Sequence, residues 1–182
     1  TDTDADADSD SDTDSDTDAD SDTDADADSD TDADEDPTAT YRFKSVRTGA
    51  GGGFIVNVLF HPTEKDLIYA KTDMGGAYRW EPDTKSWHQL FNFVNAKYWN
   101  WTGIESIGLD PSNPDMLYVA AGTYTNDWAS TDGIIWKSEN RGADFTIAAQ
   151  LPFKMGGNMP GRGMGERLAV DPNDGNILYF GA

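Results

Sequence analysis

The chain has 182 residues, no cysteine, and 34 acidic against 13 basic side chains, for a formal net charge of −21. The missing cysteine excludes disulfides and thiolate metal sites, and no apolar run is long enough to span a bilayer. The charge is not spread evenly: residues 1–36 hold 19 of the 34 acids and no base or aromatic, which leaves 15 acids against 13 Lys and Arg in the remainder.

Residues 1–36 carry Asp at every even position, with Glu35 near the end. Such a segment has nothing to bury and repels itself, so it is expected to be a disordered, low-complexity linker. Its Asp-x-Asp spacing lacks the glycine and closing Glu of a folded calcium loop, so no metal site is expected. Residues 37–182 are expected to form the folded domain. The chain opens on Thr1 rather than Met, and modules of the same protein are expected on both sides of it.

One short phrase occurs three times in that domain: Phe60-His61-Pro62 before Leu67-Ile68-Tyr69, Leu109-Asp110-Pro111 before Met116-Leu117-Tyr118, and Val170-Asp171-Pro172 before Ile177-Leu178-Tyr179. Each reads as a strand, a proline turn and a second apolar strand, so the fold expected is all-β and a β-propeller. In chain order, strands are expected at 54–62, 67–73, 76–81 and 86–90 for a first blade. A second blade follows at 104–111, 116–122, 133–138 and 144–149. A third begins at Glu166 and reaches only its second strand, giving about two and a half four-stranded blades. Ser138-Glu139-Asn140-Arg141-Gly142-Ala143-Asp144-Phe145 fits an Asp-box turn, in which a short polar side chain bonds the turn backbone, glycine takes the left-handed position and an aromatic packs beneath.

Chemistry is expected where the chain departs from economical strand building. Residues 91–103 gather Phe91, Phe93, Tyr98, Trp99 and Trp101, and residues 123–128 add Tyr124 and Trp128. Aromatics in loops either pack between blades or offer flat faces, which suit sugar rings. Asn100-Trp101-Thr102 is a glycosylation sequon, expected to be unused because a glycan there would cover the aromatic surface. Thr72-Asp73-Met74-Gly75-Gly76-Ala77-Tyr78-Arg79-Trp80 sets Asp73 at a strand end before a Gly-Gly turn, where an Asp is either a turn former or a functional carboxylate. Lys154–Leu168 is glycine-dense with embedded Asn158, Arg162, Glu166 and Arg167; Arg167 is read as pairing with Glu166 or Asp171. Neither this segment nor Gly49–Phe54 completes a nucleotide-binding pattern. No cofactor, nucleic acid or membrane partner is expected, and His61 and His88 look like neither ligand nor base.

Taken together, GAGGGF, EKDLIYAKTDMGGAYRW, YTNDW and KMGGNMPGRGMGERLAVDP closely resemble the N-terminal part of glycoside hydrolase family 74, the xyloglucanases. The resemblance covers about Tyr41 to Ala182. It implies a seven-bladed propeller paired with a second one and a cleft between them. Secretion is expected from the long low-complexity tether, of the kind that joins modules in secreted proteins. It also implies inverting cleavage of the β-1,4-glucan backbone of xyloglucan, with Asp73 as general base and the general acid on the second propeller. The isolated piece is then expected to be inactive. Tyr98, Trp99, Trp101, Tyr124, Trp128, Asn158, Arg162 and Glu166 are the residues implied to bind xyloglucan or a related β-glucan. The alternative reading is a non-catalytic Asp-box propeller that binds glycan or protein.

Overall fold

Short apolar runs between proline and glycine turns become antiparallel strands throughout residues 52–181, the part of the chain that the computed structural model describes. The expected linker, 1–36, and Gly49 to Gly51 of the glycine run lie outside the described residues. Strands β1 (Ile55–Phe60), β2 (Ile68–Thr72), β3 (Ala77–Glu81) and β4 (Ser86–Gln89) form one sheet in chain order. Strands β5 (Ile104–Leu109), β6 (Leu117–Ala121), β7 (Ile134–Ser138) and β8 (Thr146–Gln150) form a second, and β9 (Leu168–Val170) pairs with β10 (Leu178–Phe180). Short connections favour pairing of each strand with the next, and the longer one between β6 and β7 keeps that order, which gives two four-stranded meanders. Every expected strand is present. One element was not foreseen: a 3-10 helix, Ala96–Thr102, in what reads as an open aromatic loop.

The core lies between the sheets, and β6 shows why its sequence is apolar throughout. Successive side chains of a strand point to opposite faces. Leu117, Val119 and Ala121 therefore pack toward the first sheet with Tyr69, Leu90, Phe91, Ile104 and Trp136. Tyr118 and Ala120 face the other way, onto Leu168, Val170 and Met155. A strand covered on both sides needs Leu-Tyr-Val-Ala-Ala, whereas the outer strand β8 is largely exposed.

The repeated proline turns share one device. Asp110 Oδ1 accepts the backbone N–H groups of Ser112 at 2.8 Å and Asn113 at 3.2 Å. Asp171 Oδ1 accepts the Asn173 N–H at 2.8 Å. In the first copy His61 Nδ1 accepts the N–H groups of Thr63 at 3.3 Å and Glu64 at 3.0 Å, while its Nε2 donates to the Asp110 carbonyl at 2.9 Å. A neutral imidazole thus caps the turn as a carboxylate does and ties it to the next turn. In the turn from β7 to β8, Ser138 Oγ accepts the Gly142 N–H at 2.8 Å and Asn140 Oδ1 accepts the Asp144 N–H at 2.9 Å. Gly142 sits at φ +86°, and a side chain there would meet Leu90. Phe145 packs on Phe91 and Phe93 beneath the turn.

The repeat tyrosines differ in their hydroxyls. Tyr118 donates to the Gly175 carbonyl at 2.8 Å, and Tyr179 donates to Asp171 Oδ2 at 3.1 Å. Tyr69, with no surface exposed, has a hydroxyl without a hydrogen-bond partner among the described residues. Burial pushes its pKa up to about 12, against partial compensation from Arg79 and Arg141. Between the usual tyrosine value of about 10 and about 12, the unfolded chain loses this proton and the folded one keeps it, so stability falls as pH rises through that window. Tyr69→Phe is expected to leave stability at neutral pH within about 1 kcal/mol, since no hydrogen bond is lost. It is also expected to flatten the alkaline loss; denaturant unfolding of both proteins across that pH window checks this.

Candidate active site

Asp73 follows β2 directly, at the end of the sheets where backbone meets backbone. The Gly76 N–H donates to the Thr102 carbonyl at 2.7 Å, the Gly122 N–H to Gly103 at 2.8 Å, and the Gly157 N–H to Gly122 at 2.7 Å. Glycine is required for this approach: a Cβ on Gly103 would lie 2.6 Å from Thr123 Cα and 2.7 Å from the Asp73 carbonyl oxygen. A Cβ on Gly75 would run into the Gly52 carbonyl. These contacts fix the peptide that carries Asp73.

The Asp73 side chain is 4% exposed. Its Oδ1 accepts the Phe54 N–H at 2.7 Å, while its own N–H donates to the Phe54 carbonyl at 3.1 Å. Its Oδ2 faces Arg162 Nη1 at 3.2 Å. The guanidinium also lies over the Phe54 ring, 5.5 Å from its centroid, and the Arg162 side chain is 48% exposed. At 3.2 Å the ion pair is longer than a tight charge-assisted bond of about 2.7–2.9 Å, and Arg162 covers the carboxylate from its solvent side.

The expected binding aromatics separate into two groups. Trp99 and Trp128 stack with ring centroids 5.9 Å apart and planes at 12°, and Tyr124 leans on both. Trp128 is 61% exposed and Trp99 37%. Tyr98 and Trp101 also stack, at 4.5 Å, but Trp101 donates to the Asp132 carbonyl and packs edge-on against core Trp136. Tyr98 and Trp101 therefore build the wall, and the exposed platform is Trp99, Tyr124 and Trp128. Asn158 joins platform to carboxylate: its Nδ2 donates to the Tyr124 hydroxyl at 2.7 Å and lies 3.9 Å from Met74 Sδ, beside Asp73.

Two expectations need correction. Glu166, expected to bind substrate, is instead engaged with the frame at a partly exposed position. Its Oε1 accepts from Asn57 Nδ2 at 2.8 Å and pairs with the Lys71 ammonium at 2.9 Å, and its Oε2 accepts from Ser106 Oγ and the Ile107 N–H. With both oxygens spent, it braces the frame. Arg167 pairs with neither Glu166 nor Asp171 but with the buried Glu105 at 2.8 Å. The sequon is closed for a stronger reason than crowding. Asn100 is fully buried, its Nδ2 donates to the Thr131 carbonyl at 3.0 Å, and its Oδ1 accepts the Tyr124 N–H at 3.0 Å.

Sequence reasoning also missed Lys71. Its Nζ donates to the carbonyls of Glu105 at 2.7 Å and of Gly163 and Gly165 at 2.8 Å, and pairs with Glu166 Oε1 at 2.9 Å. The available signal was a lone charge inside an otherwise apolar strand, Leu67-Ile68-Tyr69-Ala70-Lys71.

An all-β arrangement of antiparallel sheets with a carboxylate and an aromatic platform at one end defines a class, and comparison with known proteins narrows it. No family model matches the chain. It is 56% identical over 142 residues to a xyloglucanase of a Paenibacillus species, covering 78% of this chain and 14% of that protein. It is 45% identical over 142 residues to the oligoxyloglucan-reducing end-specific xyloglucanase of Emericella nidulans, covering 78% of this chain and 17% of the relative. The crystal structure of the family-74 xyloglucanase from Xanthomonas campestris superposes with a TM-score of 0.67 at 50% identity, over 76% of this chain and 19% of that one. Structural neighbours of this kind are β-propeller proteins. Over the residues it shares with them, the chain belongs to glycoside hydrolase family 74.

Asn100→Ala would strand the Tyr124 N–H and the Thr131 carbonyl, and it is expected to cost about 2–4 kcal/mol. Denaturant unfolding measures that loss, and a mass spectrum of the protein secreted from a glycosylating host should show Asn100 unmodified.

Proposed function

We propose that this chain is the Asp73-bearing part of a secreted glycoside hydrolase that cleaves the β-1,4-glucan backbone of xyloglucan with inversion. In this reading each four-stranded sheet is one blade, β9 and β10 begin a third, and the blades belong to a seven-bladed propeller paired with a second. Residues 1–36 act as a disordered tether to a neighbouring module. The chain spans 14–17% of the curated relatives it matches, so the remaining blades and the general acid are assigned to the rest of the enzyme.

The observation that carries the reading is the continuity from Asp73 through Met74, Asn158 and Tyr124 to the exposed Trp99–Trp128 stack. Sugar rings present apolar faces that stack on indoles, and hydroxyl edges that bond to groups such as Asn158 and the Tyr124 hydroxyl. A glucan laid on that platform reaches the carboxylate at one end. Inversion needs a base and an acid about 6.5–9.5 Å apart, with a water between the base and the sugar. Asp73 supplies the base: the Phe54 N–H fixes Oδ1, the Arg162 guanidinium orients Oδ2, and the remaining lone pair of Oδ2 receives the water proton. The acids tied to the same network, Glu105 and Glu166, are held by Arg167 and Lys71 and are not assigned the second role.

In the enzyme at its relatives' length, Asp73→Asn is expected to lower kcat on xyloglucan by about 10²–10⁴-fold while binding persists. Reducing-sugar release beside a binding isotherm decides this, and equal turnover by both forms would remove Asp73 from the chemistry. Trp128→Ala is expected to raise KM about tenfold, one ring-stacking contact of roughly 1.4 kcal/mol, with kcat little changed. Xyloglucan bound but never cut by the wild type would favour the non-catalytic reading.

A further inference from the structure

Arg162 stands on a glycine-rich segment that two turn bonds hold from within, the Arg162 N–H to the Met159 carbonyl at 2.7 Å and the Met164 N–H to the Gly161 carbonyl at 3.0 Å. It has φ +48°, and its neighbours Gly161, Gly163 and Gly165 have φ of +93°, +56° and +84°. Glycine-rich backbone of this kind gains little from side-chain packing of its own, so contacts from outside the segment decide where Arg162 sits. That anchor is Lys71, two residues before Asp73 on β2. Its ammonium binds the carbonyls of Gly163 and Gly165, one on either side of Met164, and the carboxylate of Glu166 at the segment's end. Glu166 is in turn held by Asn57 of β1 and by Ser106 and Ile107 of β5.

The sheets are shaped to admit this amine. Pairing of β5 with β6 skips Glu105: Ile104 faces Ala121 and Ser106 faces Ala120. The bulge leaves Glu105 without a cross-strand partner, and its carbonyl takes the third bond from Lys71 at 2.7 Å. The same shift between Ile55 and Asn57 in the first sheet sets Asn57 opposite Lys71. Bulges beside functional sites commonly re-aim groups in this way. Lys71 is fully buried and touches the guarding segment, not the cleft.

We propose that Lys71, acting through Gly163, Gly165 and Glu166, is a positioning residue that holds Arg162 against Asp73. The inference rests on Asp73 being the general base. One strand then carries both the base and the clamp that orients the guanidinium over it, so a shift of the segment changes the chemistry without changing the aromatic platform.

The test uses the enzyme at its relatives' length, with Lys71→Met, Glu166→Gln, Arg162→Ala and the Lys71→Met/Arg162→Ala pair. Lys71→Met is expected to lower kcat on xyloglucan by about 10–100-fold with KM within about threefold, the scale of an ångström-level misplacement. The double variant is expected to lose no more than the worse single one, because both remove the same contact. Glu166→Gln keeps the shape, removes the charge and should show a smaller loss of the same kind; it serves if Lys71→Met does not fold. Limited tryptic cleavage after Arg162, read by mass spectrometry, should rise in both the Lys71 and Glu166 variants irrespective of activity. Additive losses in the double variant, or folded variants with unchanged kcat and unchanged cleavage, overturn the proposal. A wild type that cuts no xyloglucan overturns the functional reading and the catalytic role of the clamp, while the tryptic comparison still decides whether Lys71 holds the segment.

Discussion

The end of the sheets that carries Asp73 hangs on the ion pair between the fully buried Lys71 and the partly exposed Glu166. The carboxylate receives donors from β1, β2 and β5 and lies two residues before β9, so one charged group joins all three sheets. The ammonium answers with three backbone carbonyls and that carboxylate, and no ladder bond could reach between sheets in this way. Removing Glu166 leaves the fully buried ammonium without its counter-charge, the situation that costs up to about 3–5 kcal/mol in buried pairs. The pair is therefore better understood as a device that selects one arrangement of the sheets than as surplus stability.

Around that pair the sheets approach until only glycine fits. Gly76, Gly103, Gly122 and Gly157 let carbonyls and N–H groups bond directly between successive sheets, which brings Asp73, Met74 and Asn158 to the same end. The consequence is an end of the molecule that is rigid in backbone and variable only in side chains. A buried carboxylate, the guanidinium over it and three aromatic rings are set there by that frame.

The strands were legible in the sequence because proline turns and period-2 apolar runs depend on local chemistry. Even the substitution of His61 for aspartate is local, since either side chain caps two N–H groups of the same turn. Asp73 and the Trp99–Tyr124–Trp128 group were legible as candidates through position and residue type. What escaped depends on sequence-distant partners. Lys71, Asn100 and Glu166 each look like solvent-facing polar residues until the partners 34, 31 and 59 positions away, Glu105, Thr131 and Ile107, are brought beside them. Tyr98 and Trp101 read the same as Trp99 in sequence, and only the 3-10 helix sends two of these rings inward and one outward.

The account's central claim is that Asp73 and the aromatic platform form one glycan-processing surface. A crystal structure of the Asp73→Asn enzyme at its relatives' length, soaked with a xyloglucan oligosaccharide, tests it most directly. The account predicts glucose rings stacked on Trp99 and Trp128, with a glycosidic bond reaching residue 73 and room there for one water. A glycan bound elsewhere, with this surface left bare, would contradict it.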